Sequence, residues 1–180
     1  REIQLSKRDV LGTLAEGRRQ FSTADWKRLL LRSIGLEADR LTELIESLLD
    51  ASRLQSGDLK LNLSDVALDD LARRLVEKFK TQTDKHTLVA DFPPGFPEVR
   101  GDEERLRQVL ANLLGNAIKY APGGGEIRVS GSATPAGVTL RVSDHGAGIA
   151  AHDLPHVFER FYRAEGDLTR RVKGTGLGLY

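Results

Sequence analysis

The chain has no cysteine, so disulfides, thiolate metal sites and thiol nucleophiles are excluded, and the redox compartment is left open. It has almost no net charge: +1 across 180 residues supplies no overall field that would favour nucleic acid or an acidic membrane. No apolar run is long enough to span a bilayer, and no signal peptide, internal repeat or low-complexity tract is present. What remains is a chain with 39% hydrophobic and 29% charged residues, which can bury a core and is long enough for one or two domains. It starts at Arg1 without a methionine and stops at Tyr180 inside a glycine-rich motif, so the expectation is a fragment of a longer protein, truncated at its C-terminus.

The most informative stretch runs from Asp102 to Tyr120. Leu106, Val109, Leu110, Leu113, Leu114, Ala117 and Ile118 recur at three- and four-residue intervals, an apolar stripe of an amphipathic helix. Asn112, Asn116, Lys119 and Tyr120 form a second, polar stripe on the same helix, beside the apolar one. Asparagine lowers helix propensity, so the polar stripe is either a solvated face or a binding edge.

Residues 1–57 are helical in pattern, with an early break around Gly17 to Ser22. Ile34, Leu41, Leu44, Ile45, Leu48 and Leu49 follow a spacing close to a heptad, with Glu37, Asp39, Arg40, Glu43 and Glu46 on the outer side. Such a seam is buried by a helical hairpin that dimerises into a four-helix bundle, or by packing on the chain's own second domain. Gly57 ends the helix. From Asp58 the pattern changes, with the boundary near Ser56 to Leu63. Leu59, Leu61 and Leu63 alternate as a strand. Leu68 to Phe79 is an amphipathic helix, His86 to Phe92 a strand and Pro93 to Pro97 a turn. Ile127 and Val129, then Val138, Leu140 and Val142, make two strands joined through Gly131 to Gly137. The expected fold is α+β: an N-terminal hairpin over 1–57, then an α/β sandwich over 58–180 with helices on one face of a sheet.

Three further stretches can carry chemistry. In Asp144-His145-Gly146-Ala147-Gly148-Ile149 the glycines let backbone approach a flat ligand, and the carboxylate suits the exocyclic amine of adenine. An ordinary turn is the alternative. Gly174-Thr175-Gly176-Leu177-Gly178-Leu179 is a flexible loop or a backbone cradle for phosphate. Between them Phe158-Glu159-Arg160-Phe161-Tyr162-Arg163 precedes a polar segment to Lys173 that has the composition of a lid. Phe158 and Phe161 are expected to pack in the core.

In this order the four stretches resemble the catalytic region of two-component sensor histidine kinases. NLLGNAIKYA is similar to the family's asparagine box, DHGAGI to its first glycine box, FERFYR to its phenylalanine box and GTGLGL to its second glycine box. LLDASRLQSG resembles the end of the second dimerisation helix. The resemblance implies ATP and Mg²⁺ as cofactors and an ATP-dependent protein-histidine kinase that relays phosphate to a response-regulator receiver domain. It also implies a homodimer and a cytoplasmic location, with any membrane segment outside this stretch. Asn116 would ligand Mg²⁺; Asn112, Lys119 and Tyr120 would line the phosphate and ribose side. Asp144 would hold adenine, with Gly146, Gly148 and Ile149 around it. Arg163 would reach the phosphates, and Lys173, Gly174, Thr175, Gly176, Leu177 and Gly178 would wrap them. ATPases of the same fold carry glutamate where Asn112 stands, and asparagine cannot act as a base, which favours transfer over hydrolysis.

The family's acceptor motif, His-Glu-x-x-Thr-Pro followed by a glycine, is not matched. Aligning Gly12 with that glycine places Arg1 on the acceptor position and Glu2 on the neighbouring glutamate, a base only if a histidine precedes it. His86, His145, His152 and His156 are expected in structural or surface roles. Either the acceptor is lost, leaving a nucleotide-binding dimeric regulator, or it lies upstream.

Overall fold

The computed structural model describes residues 23–164, 166 and 174–180. The first hairpin helix, the break at Gly17 to Ser22, Arg1, Glu2 and Lys173 therefore lie outside the described residues. By internal contacts the chain divides into two units, Arg1–Glu46 and Ser47–Tyr180.

Helix α1 covers Thr23–Ser56. Ile34, Leu41, Ile45, Leu48 and Leu49 of its expected seam all stand between 48% and 63% exposed. The helix stops where expected. Gly57 adopts φ 73°, and its N–H donates to the Leu54 carbonyl (3.3 Å) while Asp58 N–H donates to that of Arg53 (3.1 Å). This crossed pair of bonds needs a left-handed residue at the position after the cap.

In the second unit, α2 (Leu68–Lys80) and α3 (Glu103–Tyr120) pack on a three-stranded sheet. Strand β2 (His86–Asp91) pairs parallel with β4 (Gly125–Thr134), and β4 pairs antiparallel with β5 (Gly137–Ser143). Leu88 lies opposite Ile127, and Val129 opposite Val142, so one sheet face is apolar. That face meets Leu71 and Val76 of α2 and Leu110 and Leu114 of α3 in one core. Arg128, on the alternate side of β4, pairs instead with Glu126 (2.9 Å) and Asp91 (2.7 Å). Helices on one face of a sheet is the expected arrangement.

Several expectations fail in detail. The alternating leucines 59–63 form no strand, and Leu61 and Leu63 are about half exposed (53% and 49%). The strand is β1, Ser64–Val66, which pairs with β3, Val99–Gly101, a strand too short to show periodicity. The connection from Gly131 to Gly137 is mostly strand, since β4 runs to Thr134 and leaves Pro135 and Ala136 as the turn. Gly131 lies within the strand, paired with Leu140, and is glycine because a Cβ there would sit 2.6 Å from the rings of Phe92 and Phe96. Val109 is 56% exposed, so the apolar stripe of α3 is narrower than its periodicity implies. Phe158 and Phe161 are 67% and 61% exposed and are not core. They sit in a stretch of turns without helix or strand to lay them on the sheet, Phe161 itself at φ 61°.

The end of α1 is tied to α3 within the second unit. Asp50 Oδ2 accepts from Arg105 Nη1 (2.5 Å) and Gln108 Nε2 (3.1 Å). Burial pushes the Asp50 carboxyl up, but the Arg105 and Gln108 hydrogen bonds, with the charges of Arg105 and Arg53, hold it below its usual 3.8. A depressed folded value means that the bridge stabilises above the unfolded pKa and is lost as pH falls through the folded one. Asp50→Asn is therefore expected to be less stable than the parent at pH 7, with the gap closing as pH drops below 3.8. Urea unfolding at a series of pH values measures this, and a gap independent of pH would dismiss the ion pair as its source.

Candidate functional site

The site is built around the C-terminal half of α3. Asp102 caps the helix, its Oδ1 accepting from Arg105 N–H (3.1 Å), while Oδ2 accepts from Asn62 N–H (2.8 Å). These backbone hydrogen bonds, Asn62 first, hold its carboxyl below the usual range. With Leu110, Leu114 and Ala117 buried against the sheet, the helix has one rotational setting. That setting leaves Asn112 and Lys119 exposed and Asn116 and Tyr120 half-buried. The second stripe is thus an edge of the domain.

Tyr120 meets both glycine-rich stretches. Its carbonyl, at the open end of the helix, accepts from Ala147 N–H (3.3 Å). A Cβ on Gly146 would lie 2.6 Å from that carbonyl oxygen and 2.8 Å from Asp144 Oδ1, so the loop docks only because residue 146 has no side chain. Asp144 Oδ1 accepts from Gly146 N–H at 2.7 Å, which holds the turn. Among the described residues its Oδ2 accepts no hydrogen bond from the protein, and the residue is exposed. One carboxylate oxygen organises the loop; the other faces out as an acceptor. Gly148 (φ 70°) and Ile149 (48% exposed) continue the same open loop.

The second glycine-rich stretch lies along the polar stripe. The Cβ position of Gly174 is 3.9 Å from Arg163 Nε and 4.0 Å from the Tyr120 hydroxyl, and that of Gly178 is 3.9 Å from Asn112 Cγ. Leu177 is buried and anchors the loop, while Leu177 N–H donates to Thr175 Oγ1 (3.4 Å). Gly176 is at φ 72°, its carbonyl accepts from Phe161 N–H (2.9 Å), and a Cβ there would lie 2.5 Å from the Phe161 carbonyl carbon. Both the backbone angle and the space require glycine.

The structure therefore brings Asn112, Tyr120, Gly146, Arg163, Gly174 and Gly178 to one edge. Residues far apart in sequence converge there, with amide, hydroxyl, guanidinium and bare backbone groups at one end and a carboxylate at the other. Among the described residues no group of three or more His, Cys, Asp or Glu is placed to hold a metal. A cleft of about 510 Å³ opens beside this edge, lined by His152, Asp153, His156, Glu159, Tyr162 and Arg163. Of the residues expected in the site only Arg163 lines it. His86 ties strand to helix end, bridging Thr83 Oγ1 (2.7 Å) and the Ala121 carbonyl (2.8 Å), a structural role as expected. Asp153 and Tyr162, bonded at 2.5 Å, escaped sequence reasoning because nothing local marks an aspartate that will be buried.

The profile of the "Histidine kinase-, DNA gyrase B-, and HSP90-like ATPase" family matches residues 101–180. A second profile, "Lon-like protease BrxL-like, ATPase domain", matches residues 1–56. The described part of that segment, Thr23–Ser56, is a single helix. The sensor-like histidine kinase SenX3 of Mycobacterium tuberculosis is 35% identical over 153 residues, 84% of this chain. The chain spans 37% of that relative's length. Full-length ShkA, solved in complex with AMPPNP, superposes with a TM-score of 0.70 at 30% identity over 84% of this chain and 32% of its own. The Acinetobacter baumannii histidine kinase AdeS gives 0.68 at 26% identity, over 94% of this chain and 75% of its own.

Proposed function

Since the chain belongs to the two-component sensor histidine kinases, we propose that it binds Mg-ATP and passes the γ-phosphoryl group to a histidine, for relay to a response-regulator aspartate. The observation that carries this reading is Tyr120, whose carbonyl meets the first glycine loop and whose hydroxyl meets the second. Two loops that meet at one residue make a single site, with a carboxylate for a base on one loop and bare backbone for a phosphate chain on the other.

Asp144 Oδ2 accepts from the adenine amine, and Gly146, Gly148 and Ile149 leave the base room. Asn112, Lys119 and Tyr120 line the ribose and phosphates. Arg163, Lys173 and the loop Gly174, Thr175, Gly176, Leu177, Gly178 surround the phosphate tail. A bound Mg²⁺ neutralises phosphate charge. Asn116 offers it a neutral amide oxygen, which fits one position of an oxygen octahedron and is too little to hold the ion alone. The remaining ligands come from ATP and water. In transfer, the bond from the γ-phosphorus to the bridging oxygen breaks as an imidazole nitrogen takes the phosphorus, and ADP leaves. Asparagine at 112 offers no base to activate water, so transfer is favoured over hydrolysis.

The division into a hairpin over 1–57 and a catalytic domain over 58–180 belongs to this reading, as does a homodimer through the hairpin. The exposed apolar row on α1 supports the dimer, because a seam of that length is buried by a second helix pair. Arg1 stands at the aligned acceptor position, so the histidine that receives phosphate is supplied from outside the aligned motif, and Glu2, with no histidine before it, is not placed to act as its base. The setting is cytoplasmic, where ATP is. Among the described residues no helix is long and apolar enough to cross a membrane.

Incubation with labelled ATP and a separately expressed, histidine-bearing hairpin tests the activity. Label on the supplied hairpin is expected; its absence, with ATP still bound, would favour a regulator that acts by conformation alone. Asn116→Ala is expected to abolish the Mg²⁺ dependence of ATP binding. If that variant responds to Mg²⁺ as the parent does, Asn116 is not the ligand.

A further inference from the structure

The charged side chain of Asp153 is buried, at 2% exposure. The residue precedes the 3₁₀ turn Leu154–His156 with helical backbone angles (φ −83°, ψ −27°), and its side chain makes no capping bond. Its Oδ1 instead accepts from the Tyr162 hydroxyl at 2.5 Å, and Oδ2 lies 3.6 Å from His152 Nε2. A carboxylate withdrawn from water is tolerated only when paired, so this bond fixes where the Tyr162 ring can sit. The ring also rests against His156, with centroids 5.3 Å apart.

What Tyr162 holds in place is the phosphate end of the site. Phe161 N–H, one residue before it, donates to the Gly176 carbonyl at 2.9 Å. The Tyr162 carbonyl oxygen itself lies 2.7 Å from the Cβ position of Gly176. Arg163, one residue after it, puts Nε 3.9 Å from the Cβ position of Gly174. Tyr162 is thus the centre of a three-residue clamp on the second glycine loop, and its far end is bolted to a buried carboxylate.

We propose that Asp153 is a positioning residue for phosphoryl transfer, acting through the Tyr162 hydroxyl to set the backbone that grips Gly176 and to aim Arg163 along the phosphate tail. The proposal rests on the kinase reading above. It assigns the bond a role in orientation: the transferring group must be held to within a fraction of an ångström, whereas overall affinity is spread over many contacts.

The test uses the full-length protein with Mg-ATP and a histidine-bearing hairpin as acceptor, and measures transfer rate at saturating ATP, ATP affinity by calorimetry and the urea midpoint. Tyr162→Phe is expected to lower the rate roughly 10- to 100-fold, with ATP affinity within about threefold of the parent. Asp153→Asn keeps an oxygen to accept from Tyr162 and is expected to retain most of the rate, whereas Asp153→Ala loses it. If Tyr162→Phe does not fold, that Asn-against-Ala comparison replaces it. The decisive measurement adds Tyr162→Phe to Arg163→Ala, where the second change should cost several-fold less than it does in the parent, because one of the two groups it positions is already gone. An unchanged rate in Tyr162→Phe, or the same loss with and without Arg163, would overturn the proposal. A parent that binds no ATP overturns the kinase reading itself, which is a separate result from a competent parent with indifferent variants.

Discussion

Replacing Asp144 by alanine is expected to weaken ATP binding by about 1–3 kcal/mol, roughly 5- to 150-fold, with little change in stability. The stability half follows from exposure: Asp144 is exposed, so water replaces its bond to Gly146 N–H when the side chain is cut back. The binding half follows from what the second oxygen does. Once the purine covers the loop, its amine has no water to turn to, and an unpaired donor there carries its full desolvation penalty. Asp144→Asn separates the two roles. The amide oxygen can still accept from Gly146 N–H, so the turn survives, but the amide nitrogen now faces the adenine amine, donor to donor. It is expected to bind ATP as poorly as the alanine variant and to narrow the preference for ATP over GTP. Calorimetry with both nucleotides reads this directly. Parental ATP affinity in either variant would reduce Asp144 to a residue of the turn.

Leu114→Ala is expected to destabilise the protein by about 2–5 kcal/mol, the largest stability effect anticipated in α3. Leu114 is 0% exposed and lies in the core with Leu88, Ile127 and Val129, where the sheet cannot close around a lost side chain. Two positions away, Asn112 is exposed, and Asn112→Ala should shift stability by no more than about 0.5 kcal/mol while weakening nucleotide binding. The pair contrasts the two stripes of one helix, the first holding the fold and the second meeting the ligand. Urea unfolding of both variants measures it. A small loss for Leu114→Ala would mean that α3 is not held by the core, and the placement of the polar edge would then lose its physical basis.

The elements legible beforehand were those whose side chains repeat with a period. α2, α3, β2 and the hydrophobic centres of β4 and β5 all carry one, and each lies where its pattern places it. Strand β3 spans only Val99–Gly101 and is made by its partner Ser64–Val66, so no local signal marks it. The leucines 59–63 show the reverse case: alternation without a neighbouring edge to pair with makes no strand. At Gly131 glycine suggests a break, but the residue pairs within β4 and the rings of Phe92 and Phe96 claim the space a side chain would fill. The chemistry of Phe158 and Phe161 favours the core, but their exposure depends on a chain path that hydrophobicity does not encode.

In the site, residue types and their order were readable from the chain alone: an amide stripe beside an apolar one, a carboxylate before two glycines, and a second glycine run after an arginine. Those features depend on spacing along one helix or within one loop, where chemistry is local. Tertiary structure alone decided that Tyr120 would touch both loops and that Asp144 would divide its two oxygens between a turn and the open edge. It also decided that Asp153 would be buried and hold the Tyr162 hydroxyl. The Tyr120 contacts join residues separated by tens of positions and depend on how the apolar stripe of α3 seats against the sheet, a packing outcome that no stretch of sequence carries by itself. The Asp144 and Asp153 bonds are closer in sequence, but they follow a chain path that no local period marks.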